Sequence, residues 1–190
     1  HPDVKRQVKQ LIWEYRDIFS REAPGHTDLV TMKLRLKPGT EPIRQRYREL
    51  NPKMLKDLEA QMADWLNQGV IEPSTSPWAS PLVPVRKKDG KIRWAVDFRR
   101  LNSCLEQDSY PLPRIQTLLD RAGGHRVYSA LDATAAYFNI SIDPASRELT
   151  AFATPTGLWQ FRRMPFGIST APAVYSRFIS TAMNPLGSEI

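Results

Sequence analysis

Asp132 stands at the end of the apolar run RVYSAL and is followed by four small residues, Ala133, Thr134, Ala135 and Ala136, before the ring of Tyr137. A carboxylate there offers hard oxygen ligands to a divalent cation such as magnesium. A pair of such cations can stabilise the attacking and leaving oxygens of an in-line phosphoryl displacement. The small run leaves its backbone N–H groups approachable, and such amides hold phosphate oxygens where a chain turns. Taken alone, an Asp five positions ahead of a Tyr equally describes the start of a turn after a strand. A second cluster lies upstream, where Arg86, Lys87, Lys88, Lys91 and Arg93 surround Asp89-Gly90. Planar Arg forks and a flexible Lys on a projecting tip could grip a triphosphate, and a solvated turn is the other reading.

These groups need elements to hold them. VKQLIWEYRDIFS places Val8, Leu11, Ile12, Tyr15 and Phe19 at helical intervals, an amphipathic helix that leads in. In LVTMKLRL, Met32, Leu34 and Leu36 keep a period of two, which predicts a strand. The clearest helix follows: Asn51 caps it, Pro52 suits its first position, Gly69 ends it, and Leu55, Leu58, Met62, Trp65 and Leu66 form its buried stripe. Pro73, Pro77, Pro81 and Pro84 confine the next stretch to edge strands or extended loops, because proline removes a ladder donor. Leu82 to Val85 and Ile92 to Phe98 flank the Asp89-Gly90 turn as a two-stranded ribbon with a basic tip. A short helix over Ile115, Leu118 and Leu119 stops at Gly123-Gly124. RVYSALD and YFNISID read as strands on either side of Asp132, so that the carboxylate is fixed at a cleft edge by the sheet. A hairpin around Thr156-Gly157 and a helix presenting Val174, Phe178 and Ile179 complete the pattern. Helices and strands are interspersed without strict alternation, which predicts an α+β fold.

Composition narrows the class. With 41% hydrophobic and 25% charged residues in 190, the chain can bury a sizeable core and is not expected to be disordered. No apolar run approaches the roughly 20 residues that span a bilayer, and no signal-peptide pattern opens the chain, so a soluble, unsecreted protein without membrane partners is expected. A single Cys104 cannot form an internal disulfide, and His1, His26 and His125 lack zinc-ligand spacing. A first residue other than Met suggests a piece of a longer polypeptide. Residues 1–100 hold 20 Lys and Arg against 13 Asp and Glu, whereas the remainder holds 7 of each, so all of the net +7 lies in the first half. That asymmetry suggests a cationic surface for nucleic acid or a triphosphate, and a solvated basic face is the alternative.

SPWASPLVPVRKKDGKIRWAVDFRRLN, YPLPRI, SALDATAAYFNISID, TAFATPTGLWQF and RMPFGISTAPAVYSRF occur in this order. Together they resemble the reverse transcriptases of LTR retrotransposons and retroviruses, the gypsy-class Pol polyproteins above all, from about Leu29 to the end. The resemblance implies a right-hand polymerase fold of α+β class: residues 1–28 a lead-in helix and segment, 29–110 the fingers, 111–190 a partial palm with returning fingers elements. It implies that Asp132 is the first catalytic aspartate and a ligand of two Mg2+ ions, with the Ala133 carbonyl a further ligand. It matches Lys87 and Arg93 to residues that hold the triphosphate, and the amides of Ala135 and Ala136 to those facing its phosphates. Tyr137 matches the steric gate that excludes a 2′-hydroxyl. Phe166 and Gly167 match the motif beside the primer-template and nucleotide pocket, and Arg99 a template contact. Implied partners are an RNA or DNA template with its primer, dNTPs, and the rest of the Pol polyprotein with its remaining palm, thumb, connection and RNase H. The implied location is intracellular, in a cytoplasmic retroelement particle or the nucleus.

The sequence departs from that pattern at several positions. Ala135-Ala136 replace a common Ser-Gly pair, Phe138-Asn139 replace His-Gln, and Leu149 stands where Lys is frequent. No Asp-Asp pair occurs, although the family completes its metal site with one. The 190-residue piece is therefore expected to be inactive alone and to act within a full-length RNA-directed DNA polymerase. A host-retained remnant that binds nucleic acid or protein without catalysis is the alternative.

Overall fold

The computed structural model describes residues 2–19, 24–88, 90, 92–111, 114–124 and 126–184. Helix α1 (Pro2–Glu14) and a 3-10 turn (Arg16–Phe19) form the lead-in, and Val8, Leu11, Ile12 and Trp13 are all exposed on it. Strand β1 (Thr27–Met32) ends four residues earlier than the period of two predicts. The chain stays extended beyond it because other partners take over: the Leu34 N–H donates to Ser146 Oγ at 3.0 Å, and Leu36 bridges Leu105. Met32 and Leu34 are accordingly buried.

Helix α2 (Pro52–Asn67) follows its sequence signals at both ends. Asn51 Oδ1 accepts the Met54 N–H at 2.9 Å, and Gly69 takes φ 64°, a left-handed conformation that glycine adopts without Cβ strain. Leu58, Met62 and Trp65 are buried and Leu55 is half-buried. Leu66 is exposed and leaves the predicted stripe.

A five-stranded sheet receives α2. Its strands are β2 (Ile71–Pro73), β3 (Ser80–Arg86), β4 (Ile92–Val96), β6 (Phe152–Thr154) and β7 (Gly157–Phe161), in the order β2-β7-β6-β3-β4. The predicted ribbon is present, β3 and β4 pairing antiparallel from Leu82↔Val96 to Arg86↔Ile92. Of its turn, Asp89 and Lys91 lie outside the described residues, as do His1 and His125. The confinement of prolines to sheet edges fails at β3, an interior strand carrying Pro81 and Pro84. Two facts reconcile it at Pro84. The parallel pairing with β6 covers only Ser80 and Pro81. The Asp97 N–H donates to Pro81 O at 2.9 Å, and the antiparallel alternation that starts there turns the nitrogen of Pro84 away from β4, past the end of β6. No ladder bond is lost at Pro84.

Strand β5 (Ile140–Ile142) pairs parallel with β1 in a separate two-stranded sheet, and α3 (Arg99–Cys104), α4 (Ile115–Ala122) and α5 (Ala171–Met183) complete the element order. One core joins both halves of the chain, with Trp65, Phe98, Phe152 and Phe161 at ring separations of 5.1 to 6.4 Å. Among the described residues, no helix is long and apolar enough to cross a membrane.

Candidate functional site

Ala135 is the only non-glycine residue with positive φ among those described, at 49°. A left-handed alanine costs about 1–2 kcal/mol, so the surroundings must over-determine it. They do so through a 3-10 turn, Ala136–Asn139, whose Phe138 N–H donates to Ala135 O at 2.8 Å, while Asn139 Nδ2 donates to Thr134 O at 3.3 Å. Phe138 plugs this turn into the core, 6.5 Å from both Trp65 and Phe161. Tyr137, its neighbour, is thereby held over a second set of rings.

That set is built from three distant segments. The Tyr137 ring stacks on Phe166 at 4.8 Å with 23° between planes, and meets Tyr175 of α5 at 5.4 Å. The Arg93 guanidinium of β4 lies 4.6 Å from the centroid of the Phe166 ring, a cation–π contact. Burial raises the pKa of the Tyr137 hydroxyl. The Tyr175 hydroxyl is raised by burial first, then by Tyr137 and by the negative charge of Asp132. Gly167, at φ 93°, closes the turn after Phe166, where a Cβ would come within 3.4 Å of Val96 O.

The structure thus brings Arg93, Tyr137 and Phe166 together, with Ala135, Ala136 and Gly167 in the turns that present them. Asp132 and Ala133 are exposed in a stretch without regular structure, and the strand expected over RVYSALD is absent. Val127 and Leu131 are 85% and 83% exposed. The physical reason is pairing: a strand is held by ladder bonds to a neighbour, no described strand lies beside residues 126–132, and β5 takes β1 as its partner instead. Lys87 is exposed just beyond β3. Arg99 is committed to an intramolecular partner, donating to Asp97 through Nε at 2.8 Å and Nη2 at 2.6 Å. Asp97 is held below the usual carboxylate range by that pairing above all. Sequence reasoning missed Tyr175, although it lies in the quoted APAVYSRF segment, and it missed Asp97. An aspartate two residues before an arginine on the basic ribbon was the available signal for Asp97.

Asp132 and the Ala133 carbonyl are oxygen donors of the kind that hold Mg2+. Among the described residues no group of three or more His, Cys, Asp and Glu side chains could hold a metal ion.

Comparison with known proteins gives a consistent answer. Residues 85–190 match the family described as reverse transcriptase (RNA-dependent DNA polymerase). The retrovirus-related Pol polyprotein from transposon 412 of Drosophila melanogaster is 34% identical over 188 residues, covering 95% of this chain and 15% of the relative. That from transposon opus of the same organism is 32% identical, covering 94% and 18%. The transposon Tf2-3 polyprotein of Schizosaccharomyces pombe is 29% identical, covering 96% and 13%. The chain therefore spans less than a fifth of the length of these relatives. Among solved structures, the foamy viral protease-reverse transcriptase in complex with an RNA/DNA hybrid superposes with TM-score 0.82 at 20% identity, covering 98% of this chain and 25% of the other. The prototype foamy virus protease-reverse transcriptase CSH mutant gives 0.78 at 24%, covering 97% and 25%. At such identities the likeness is one of fold.

Proposed function

This chain belongs to the reverse transcriptase (RNA-dependent DNA polymerase) family, and we propose that within its full-length protein it supplies the nucleotide-binding wall and one metal-binding carboxylate of a polymerase. The reaction is attack of a primer 3′-hydroxyl on the α-phosphate of a bound dNTP, directed by an RNA or DNA template. Positioning and charge supply most of the catalysis in such a transfer. The observation that carries this reading is the convergence of Arg93, Tyr137 and Phe166, from segments far apart in sequence, on one ring stack.

Each residue then has a distinct role. Asp132 and the Ala133 carbonyl would hold Mg2+ together with carboxylates from elsewhere in the full-length protein, and the metal would supply Lewis-acid stabilisation of the transferred phosphoryl group. Arg93, already oriented by the Phe166 ring, presents its guanidinium to the triphosphate, and Lys87 adds a mobile point charge. The left-handed turn at Ala135 frees the amides of Ala135 and Ala136 to face phosphate oxygens, which alanine side chains do not obstruct. Tyr137, held between Phe166 and Tyr175, bounds the sugar on its 2′ side. Arg99, locked to Asp97, offers its remaining donors to the template. The rest of the Pol polyprotein completes the primer grip, and a retroelement particle in the cytoplasm, or the nucleus, is where such an enzyme works.

The test is steady-state primer extension by the full-length protein with Arg93→Ala. A single charge-assisted contact contributes about 1.5–3 kcal/mol, so the dNTP KM should rise roughly 10- to 100-fold with primer-template affinity little changed. No template-directed synthesis by the unmodified protein, or an unaltered KM in the variant, refutes the reading.

A further inference from the structure

Asn102 lies in α3, and its side-chain amide reaches a segment 65 residues away. Nδ2 donates to Gly167 O at 2.8 Å, and Oδ1 accepts the Ser169 N–H at 2.9 Å. The partners fix which end is which, because only this orientation sets donor against carbonyl and acceptor against N–H. The residue is itself anchored, since its backbone N–H donates to Phe98 O at 2.7 Å and Phe98 is buried in the core. One side chain thus spans the turn that follows Phe166 and ties it to α3, the helix that follows β4. Phe166 needs such a tie. Its residue is 41% exposed, yet its ring is the platform for both Tyr137 and Arg93.

We propose that Asn102 is a positioning residue of the nucleotide pocket. By clamping Gly167 and Ser169 it fixes the Phe166 ring, and through the ring stack it sets where Tyr137 stands, hence how tightly the sugar is read. The inference rests on Tyr137 as the wall of the sugar pocket. Only an amide makes both bonds of the clamp. Aspartate could still accept from Ser169 but would set an oxygen against Gly167 O, and alanine would leave both backbone groups without this partner.

The test uses the full-length protein as wild type, Asn102→Ala, Asn102→Asp, Tyr137→Ala and the double variant Asn102→Ala/Tyr137→Ala. Primer extension gives kcat and KM for dNTP and rNTP, and primer-template Kd and urea midpoint are measured on the same samples. The expectation for Asn102→Ala is a rise of about tenfold in dNTP KM and a lower dNTP-to-rNTP ratio of kcat/KM, with primer-template Kd within about twofold. Asn102→Asp, which keeps the bond to Ser169 but sets an oxygen against Gly167 O, should also raise the dNTP KM and lower the ratio. The double variant should have the same ratio as Tyr137→Ala, since both changes act through one ring. An unchanged dNTP KM and ratio in Asn102→Ala overturn the proposal, as does a loss confined to the urea midpoint. Should Asn102→Ala fail to fold, Asn102→Asp, which keeps one bond, decides by the same ratio. If Tyr137→Ala shifts the ratio and neither Asn102 variant does, the clamp alone falls. If Tyr137→Ala leaves the ratio unchanged, the reading of Tyr137 falls and the clamp falls with it.

Discussion

Replacing Tyr137 with alanine removes a ring that stacks on Phe166 at 4.8 Å and leans on Tyr175 at 5.4 Å. Each aromatic pair contributes about 0.5–1.5 kcal/mol beyond its area, so two lost pairs cost about 1–3 kcal/mol of stability, visible as a lower urea midpoint. The functional effect follows from the same rigidity. A wall held from two sides cannot step aside for an extra hydroxyl, and forcing added atoms into a packed site costs about 1–3 kcal/mol. That range corresponds to a discrimination of roughly 5- to 150-fold in favour of dNTP, which the alanine variant should lose. Tyr137→Phe is the informative control. It keeps the ring and both contacts, and because a phenol is already neutral at assay pH and burial only raises its pKa further, removing the hydroxyl changes no charge. The ratio of kcat/KM for dNTP over rNTP in the full-length enzyme should therefore fall in Tyr137→Ala and stay within about threefold in Tyr137→Phe. An unchanged ratio in the alanine variant, or equal losses in both, would refute exclusion by the ring.

Two further predictions concern the scaffold. Ala135→Gly relieves a left-handed alanine at φ 49° and should raise the urea midpoint, the relief of about 1–2 kcal/mol being partly offset by the greater chain entropy of glycine; a lowered midpoint would show that the turn is not strained. Asp97 is depressed by its hydrogen bonds to Arg99, so its contribution is present above its unfolded value of about 3.9 and is lost as pH falls through the lower folded value. Asp97→Asn should be less stable than wild type at pH 7, with the gap closing in acid, and a gap constant from pH 7 to pH 2 would sink the pairing as its cause.

What could be read from the sequence was what neighbours along the chain decide. The cap at Asn51, the stop at Gly69 and the β3–β4 ribbon are local signals, and the structure carries each of them. Three features depended on partners that sequence spacing does not reveal. Pro84 is tolerated inside the sheet because β6 ends before reaching it. The apolar run before Asp132 reads as a strand, yet no described strand pairs with it, so Leu131 remains in solvent. Asn102 looks like an ordinary helix residue, and its role appears only through bonds to Gly167 and Ser169. The same holds for Tyr175, whose place beside Tyr137 is set by the docking of α5. Motif order carried the family; tertiary pairing carried the geometry of the site.

Under the proposed function, Asp132 holds metal for phosphoryl transfer in the full-length protein. The most direct measurement is the primer-extension rate of Asp132→Asn at saturating dNTP and Mg2+, with primer-template Kd measured on the same preparation. Losing one metal-binding carboxylate removes several kcal/mol of transition-state stabilisation, so the rate should fall on the order of 10³-fold while Kd stays within about twofold. A rate near wild type would contradict the assignment.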